Sequence, residues 1–297
     1  MTPSPIVCGT DFSDPAGEVA ALAARLAHKL DRPLRLVHVL DTRGVMFNQA
    51  TVLEALQRNA AQRLDDEVAR LRALGAEVQA RVYEGWPDEG LLRCAQECGA
   101  EITVLSAVGA RGPARGSLGR TAERVAGRTR APLLVVREAE PLQQWLAGRR
   151  TLKILCGFDT SAASEPAIEW LRRLRQAGPC ELVAASVHDP QREAERLGID
   201  QTPAANPDAP EQVRRAVTHS LRDRLQRVLG RDAVRLIVAP FRGSPAARLA
   251  ELAVEEGADL VVVGSHQRHG LDRALQGSVS TMLMRHSAAS VLVVPGA

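Results

Sequence analysis

The chain has 297 residues, 45% hydrophobic and 25% charged, which suits a globular protein of two ordinary domains. No stretch approaches the ~18 uninterrupted apolar residues that cross a bilayer, and the opening MTPSPIVCGTDFSD lacks a charged segment followed by a long apolar run, so a cytoplasmic chain with no membrane partner is expected. The net charge of +3 sets 38 basic residues against 35 acidic ones spread along helical segments, and aromatics make up only 3%, which argues against a nucleic-acid partner.

In chain order, short apolar runs alternate with longer segments of 3.6-residue period, the pattern of buried parallel strands covered by helices on both faces. Strands are predicted over 6–10, 34–39, 77–83, 102–105 and 133–136. After the first of them, DPAGEVAALAARLAHKL carries a helical stripe, with Ser13 as its cap and Pro15 in its first turn. A polar connector occupies 137–150, and the alternation then restarts with strands over 152–158, 181–187, 234–239, 260–263 and 291–294. SEPAIEWLRRLRQAG opens a helix from Ser161 or Ser164 that stops at Gly178, and the prolines and polar residues between 189 and 210 read as a long loop. The five cysteines are too few and odd in number for a secreted disulfide framework; Cys8 and Cys156 lie in apolar runs, while Cys94 and Cys98 share one helical face as small buried or half-buried residues.

The restart is a repeat. IVCGTDFSDPAGEVA at Ile6 is echoed by ILCGFDTSAASEPAI at Ile154, which sets Gly9 on Gly157, Asp11 on Asp159 and, further along, Val39 on Val187, all 148 positions apart. EGWPDEGLLRCAQECGAEITVLS matches RGSPAARLAELAVEEGADLVVVG at an offset of 158, so ten extra residues lie between the two matches in the second copy. Two domains are expected, over 1–138 and 150–297.

Open parallel sheets bind ligands beyond the carboxyl ends of their strands, where the strand order reverses. In each copy the loop after the first strand carries an acid, Asp11 or Asp159. The loop after the fourth strand is GSHQRHGLDRALQGSV in copy two, where glycines let the backbone close on a ligand and the following helix offers unpaired N–H groups from Gly277 and Ser278 onward. That chemistry suits phosphates, and an acid opposite it would accept from a ribose hydroxyl or a base amine. No GxxxxGK[ST] is present, so a P-loop lysine is not expected. His266, His269 and His286 come with no fixed fourth ligand, and no GxSxG elbow presents Ser278, so neither a metal site nor a catalytic residue is predicted.

These residues resemble the universal stress proteins, here as a tandem pair, from VCGTDFSD through LRLVHVLD and EGADLVVVGSH to GSVSTMLMRHSAASVLVVP. The resemblance implies two doubly wound α/β domains, each a five-stranded parallel sheet of order 3-2-1-4-5 of the adenine nucleotide alpha hydrolase type, and a motif G-x2-G-x9-G-[ST] that holds ATP, with or without magnesium. Copy two reads Gly264-x2-Gln267-x9-Gly277-Ser278, followed by Val279; the spacing is intact and Gln267 replaces the middle glycine. Copy one reads Ser106-x2-Gly109-x9-Gly119-Arg120, without the first glycine and the final hydroxyl. By position, the family's adenosine-contacting acid corresponds to Asp11 and Asp159, its second-strand valine to Val39 and Val187, and its threonine before the acid to Thr10, with Phe158 in copy two.

The resemblance therefore implies a non-enzymatic stress-response protein, hydrolysing ATP slowly at most, that binds an adenine nucleotide in copy two and, with more departures from the motif, in copy one. The family pairs protomers through their fifth strands, which implies pairing of 133–136 with 291–294 inside this chain and leaves a homodimer of whole chains open. Gln267, Ser106 and Arg120 support the alternative of a scaffold or interaction protein with degenerate sites, or a binder of another small ligand such as a lipid.

Overall fold

The computed structural model describes residues 3–42, 50–110, 118–159, 161, 164–200, 208–229, 234–241, 243–265 and 279–296. It divides into two compact units: Met1–Arg150 with Gln176–Pro179, and Thr151–Arg175 with Cys180–Ala297.

In unit one the chain runs β1 (Ile6–Gly9), α1 (Asp14–Leu30), β2 (Leu34–Leu40), α2 (Ala50–Arg72), β3 (Val78–Glu84), α3 (Pro87–Glu97), β4 (Ile102–Ser106), α4 (Arg120–Ala126), β5 (Leu133–Val136) and α5 (Ala139–Leu146). The strands are rich in Val, Ile and Leu because both sheet faces are covered; Ile6, Val7, Cys8, Val104 and Leu133 are fully buried. Their order is β3-β2-β1-β4-β5, with parallel pairs such as Ile6 beside Leu34 on one side and Ile102 on the other. The order reverses between β1 and β4, which opens a crevice at their carboxyl ends.

Helix α1 starts where Ser13 accepts a hydrogen bond from the Ala16 amide, has proline in its first turn, and buries Val19, Ala20, Ala23 and Ala27 along one stripe. The connector expected over 137–150 contains α5, whose Leu142, Trp145 and Leu146 are buried. Its polar residues conceal an apolar stripe two turns long, too short for periodicity to separate from a linker.

Unit two repeats the plan with β6 (Leu152–Gly157), α6 (Ser164–Ala177), β7 (Cys180–His188), α7 (Pro190–Leu197), α8 (Ala209–Leu229), β8 (Arg235–Pro240), α9 (Pro245–Glu255), β9 (Leu260–Ser265), α10 (Val279–His286) and β10 (Ser290–Pro295). The order is β8-β7-β6-β9-β10, the same 3-2-1-4-5 arrangement, with β6 between β7 and β9. The segment expected as a long loop after 189 begins instead with α7: the Asp189 carboxylate caps the amides of Gln191 and Arg192, Pro190 holds the first helical position, and Gly198 closes the helix in a left-handed conformation. Cap, proline and glycine stop were all present in the sequence as a helix signature.

Cys8, Cys94 and Cys156 are core residues in this frame, while Cys98 and Cys180 are half-buried. Burial pushes the Cys8 and Cys156 thiols up to about 12 and Cys94 to about 11, which removes them as nucleophiles at neutral pH.

Candidate functional site

In unit one the candidate site forms where β1 and β4 end. Thr10 is held by its amide on the Val37 carbonyl at 2.9 Å, and its hydroxyl accepts from the Phe12 amide at 3.0 Å. Asp11 follows. One carboxylate oxygen accepts from the Ser13 hydroxyl at 2.5 Å and the Ser13 amide at 3.0 Å, and the other accepts from the Ala110 amide at 2.7 Å. Ala110 lies beyond β4, so the acid of the first loop and the glycine turn of the fourth are joined by one hydrogen bond. Gly109 makes the approach possible, since a Cβ built there would collide with Asp11 Oδ2.

The far end of the glycine loop returns onto the same strand end, the Gly119 amide donating to Ala107 at 2.7 Å. Gly119 is the N-cap of α4 without a side-chain cap bond, and exposed Arg120 is the first residue of that helix. Helix α4 is tied to α3 by an ion cluster: buried Asp88 takes Arg128 at 3.0 Å and Arg124 at 3.5 Å, and Arg124 also lies over the Trp86 ring at 5.0 Å. The equivalent positions in unit two are Ala246, Met282 and His286, and there Ser244 touches the Met282 sulfur at 3.7 Å. Val39, half-buried on β2, packs on α3 at Gly90, where a Cβ would stand 2.7 Å from its Cγ2. Ser106, at the first motif position, turns its hydroxyl back to the Val108 carbonyl at 2.6 Å.

In unit two Asp159 stands just past β6. Its Oδ1 accepts from the Ser161 amide at 2.9 Å and from the Ser161 and Ser164 hydroxyls at 2.6 Å each. Phe158, in the place of Thr10, is buried and donates its amide to Ala185 at 2.9 Å. Val187 is half-buried on β7. Gly264 lies in β9 beside Val294, and Val279 opens α10. Gln267, Gly277 and Ser278 lie outside the described residues. The structure thus brings Asp11, Thr10 and Gly109 together, and places Asp159 at the matching strand end of unit two.

Sequence reading missed two contributors. His38 on β2 donates through Nδ1 to the Thr10 carbonyl at 2.9 Å and stacks on Phe12, ring centroids 4.4 Å apart. Phe12 itself adopts φ 61, an uncommon conformation for a bulky residue. Nothing in the sequence signals either, since His38 falls in an apolar run and Phe12 in a polar loop.

The electrostatics favour an ionised acid. Burial raises the Asp11 carboxyl, but the Ser13 hydroxyl and the amides of Ala110 and Ser13 outweigh it and hold the group below its ordinary 3.8. Burial lowers His38 and His188 below 6.5; the Thr10 carbonyl and Asp11 partly oppose this at His38, and Glu193 does so at His188. All three groups bind protons less readily folded than unfolded, so their contribution is complete above the ordinary value and lost as pH falls through the folded one. Melting temperature is expected to hold steady at neutral pH, to decline below 6.5 as the histidines charge, and to decline again below 3.8. A pH series of thermal melts on wild type and on His38→Gln/His188→Gln checks this; the double variant should lose the first decline.

Geometrically, unit one joins a carboxylate and a glycine turn at the carboxyl ends of β1 and β4. Among the described residues no group of three or more His, Cys, Asp or Glu is placed to hold a metal ion, and no helix is long and apolar enough to cross a membrane.

Comparison with known proteins agrees with this architecture. The sequence profile described as the universal stress protein family matches residues 3–137 and again 151–295. A universal stress protein of Mycolicibacterium smegmatis is 28% identical over 301 aligned residues, covering 97% of this chain and 96% of the relative. One from Mycobacterium bovis is 25% identical over the same coverage. The crystal structure of a universal stress protein from Archaeoglobus fulgidus superposes with a TM-score of 0.73 at 16% identity, over 99% of this chain and 98% of that one, a likeness of fold. With two profile matches that together span nearly the whole sequence, one on each five-stranded unit, the chain belongs to the universal stress protein family.

Proposed function

We propose that the chain is a stress-response protein that binds ATP as a held ligand at the carboxyl ends of its strands, in the module spanning 150–297 and, more weakly, in the module spanning 1–138. One observation supports the reading: in unit one the acid loop after β1 and the glycine turn after β4 meet at the switch point, the Ala110 amide donating to Asp11 at 2.7 Å, so acid and turn border one crevice. Asp159 supplies the same acid in unit two, where Gly264, Gln267, Gly277, Ser278 and Val279 are proposed to cradle the phosphates and Val187 to face the base. In unit one Thr10, Asp11, Val39, Gly109, Gly119 and Arg120 take those roles. Magnesium would enter with the phosphates as their counter-ion. A cytoplasmic location, which rests on the sequence's opening and hydropathy, belongs to the same proposal, as do fifth-strand pairing and a homodimer of whole chains, which rest on the family resemblance.

Unit one is ranked second because its motif departs further, with Ser106 and Arg120 in place of the first glycine and the final hydroxyl. Both Asp11 oxygens already accept hydrogen bonds from the chain and the Ser106 hydroxyl is turned inward, so a ligand must displace internal bonds before it gains its own. The same observation favours a second reading of residues 1–138 as a scaffold module whose site stays closed.

Nucleotide released by heat from the freshly purified protein, identified by mass spectrometry, and equilibrium dialysis against ATP test the reading. Retained or saturably bound ATP is expected. No binding at millimolar ATP overturns it, and one ATP per chain in place of two assigns unit one to the scaffold reading.

A further inference from the structure

The loop that carries the acid has a similar attachment in both units. In unit one Arg63, on α2, donates through Nη2 to the Phe12 carbonyl at 3.3 Å, and its guanidinium lies 4.3 Å from the centre of the Phe12 ring. In unit two Arg224, on α8, donates through Nη2 to the Ser161 carbonyl at 2.9 Å and to Glu165 at 2.8 Å, and its guanidinium stands 5.8 Å from the centre of the Phe158 ring. The aromatic ring comes after the acid in one unit and before it in the other, yet an arginine of the long helix meets both the ring and a carbonyl of the acid loop.

Packing alone does not hold the unit-one loop. A groove of about 730 Å3 lies beside it, lined by Phe12, Ser13, Gly17, Arg63, Glu67 and Arg70 among others. The bonds that cross from α2 are directed ones: Arg63 to Phe12, and one turn pair further on Arg70 to the Gly17 carbonyl at 2.8 Å. Phe12 also carries a left-handed backbone at φ 61, which an L-residue keeps only where its surroundings over-determine it. A guanidinium that bonds the Phe12 carbonyl while stacking on the same ring supplies such determination, with His38 on the ring as well.

We propose that Arg63 and Arg224 are positioning residues, each latching the acid loop of its own unit from the long helix, so that Asp11 is held to Ala110 and Asp159 to Ser161 and Ser164. The consequence for affinity rests on the nucleotide reading above; the latch itself does not.

Backbone amide exchange of the ligand-free chain, read by nuclear magnetic resonance, tests the latch. In Arg63→Gln the Ala110 amide, which lies beyond β4 and bonds Asp11 rather than Arg63, is expected to exchange about tenfold faster, and in Arg224→Gln the Ser161 amide likewise. Leu71 and Val104 amides serve as references for general loosening. Arg63→Lys, whose ammonium still donates to a carbonyl and lies on a ring, should restore most of the protection. Unchanged Ala110 and Ser161 exchange, or acceleration no greater than at the reference amides, overturns the latch. ATP titrations then test its consequence: Arg224→Gln is expected to bind about tenfold more weakly than wild type with little change in melting temperature, and equal affinity overturns that half. A wild-type chain that binds no ATP overturns the nucleotide reading instead, while the amide exchange still decides the latch.

Discussion

Gly109→Val is expected to detach the glycine turn of unit one from Asp11 and to lower stability. A Cβ at this position collides with the carboxylate itself, and the branched methyls of valine prevent a small rotation from relieving the contact. Overpacking of this kind costs ~1–3 kcal/mol, and the Asp11 side chain, standing at the surface, can swing away at the expense of its bond to Ala110. The expected readout is a melting temperature lower by about 2–6 °C, with loss of protection at the Ala110 amide. Gly17→Ala is the contrast. Gly17 lies within α1, and the nearest atom to a Cβ there is Arg70 Nη2 at 4.0 Å. Alanine fits, and helix propensity then predicts a gain of ~0.5–1 kcal/mol. Equal melting temperatures for Gly109→Val and wild type would show that the close approach of acid and turn is not obligatory.

Asp159→Ala is expected to have the largest effect on ligand binding. Its Oδ1 gathers the Ser161 amide and two serine hydroxyls, so truncation removes both the acid proposed to meet the ligand and the centre of the hydrogen bonds after β6. Hydrogen bonds to an ionised group are worth ~1.5–3 kcal/mol, which corresponds to a loss of ATP affinity of roughly 10- to 100-fold. Asp159→Asn keeps one acceptor oxygen and should fall between the two. Calorimetric titration of the three proteins measures the order, and an alanine variant that binds as wild type does would remove Asp159 from the site.

The fold was largely legible because its signals are local and repeated. The ten predicted runs fall on the ten strands with shifts of a residue or two; β1, β4, β9 and β10 are buried on both faces and stand out as apolar runs, while the edge strands β3 and β8 carry polar residues and are marked by their place in the alternation. The offset of 148 between Asp11 and Asp159 placed the acid loops in both halves before any contact was known. What escaped was short or long-range. α5 and α7 have eight residues each, too few for a period to stand out, although Asp189-Pro190 and Gly198 bracketed the second of them. The arginines that reach the acid loops were hidden for a different reason. Arg63 and Arg224 lie 161 positions apart, three more than the later offset of 158 and thirteen more than the earlier one of 148, so the second arginine stands about one helical turn beyond the position the repeat would match. Asp11 bonding Ala110 was equally beyond sequence reading, since it joins residues 99 apart whose approach depends on the order of β1 and β4.

The proposed binding of a nucleotide depends on an acid and an amide-lined turn facing one ligand at the carboxyl ends of the strands. Calorimetric titration of ATP into the wild-type chain and into Asp11→Ala/Asp159→Ala tests that dependence most directly. The account predicts saturable heat for wild type and none for the double variant at the same concentrations; superimposable isotherms, or a wild type that stays silent at millimolar ATP, would contradict it.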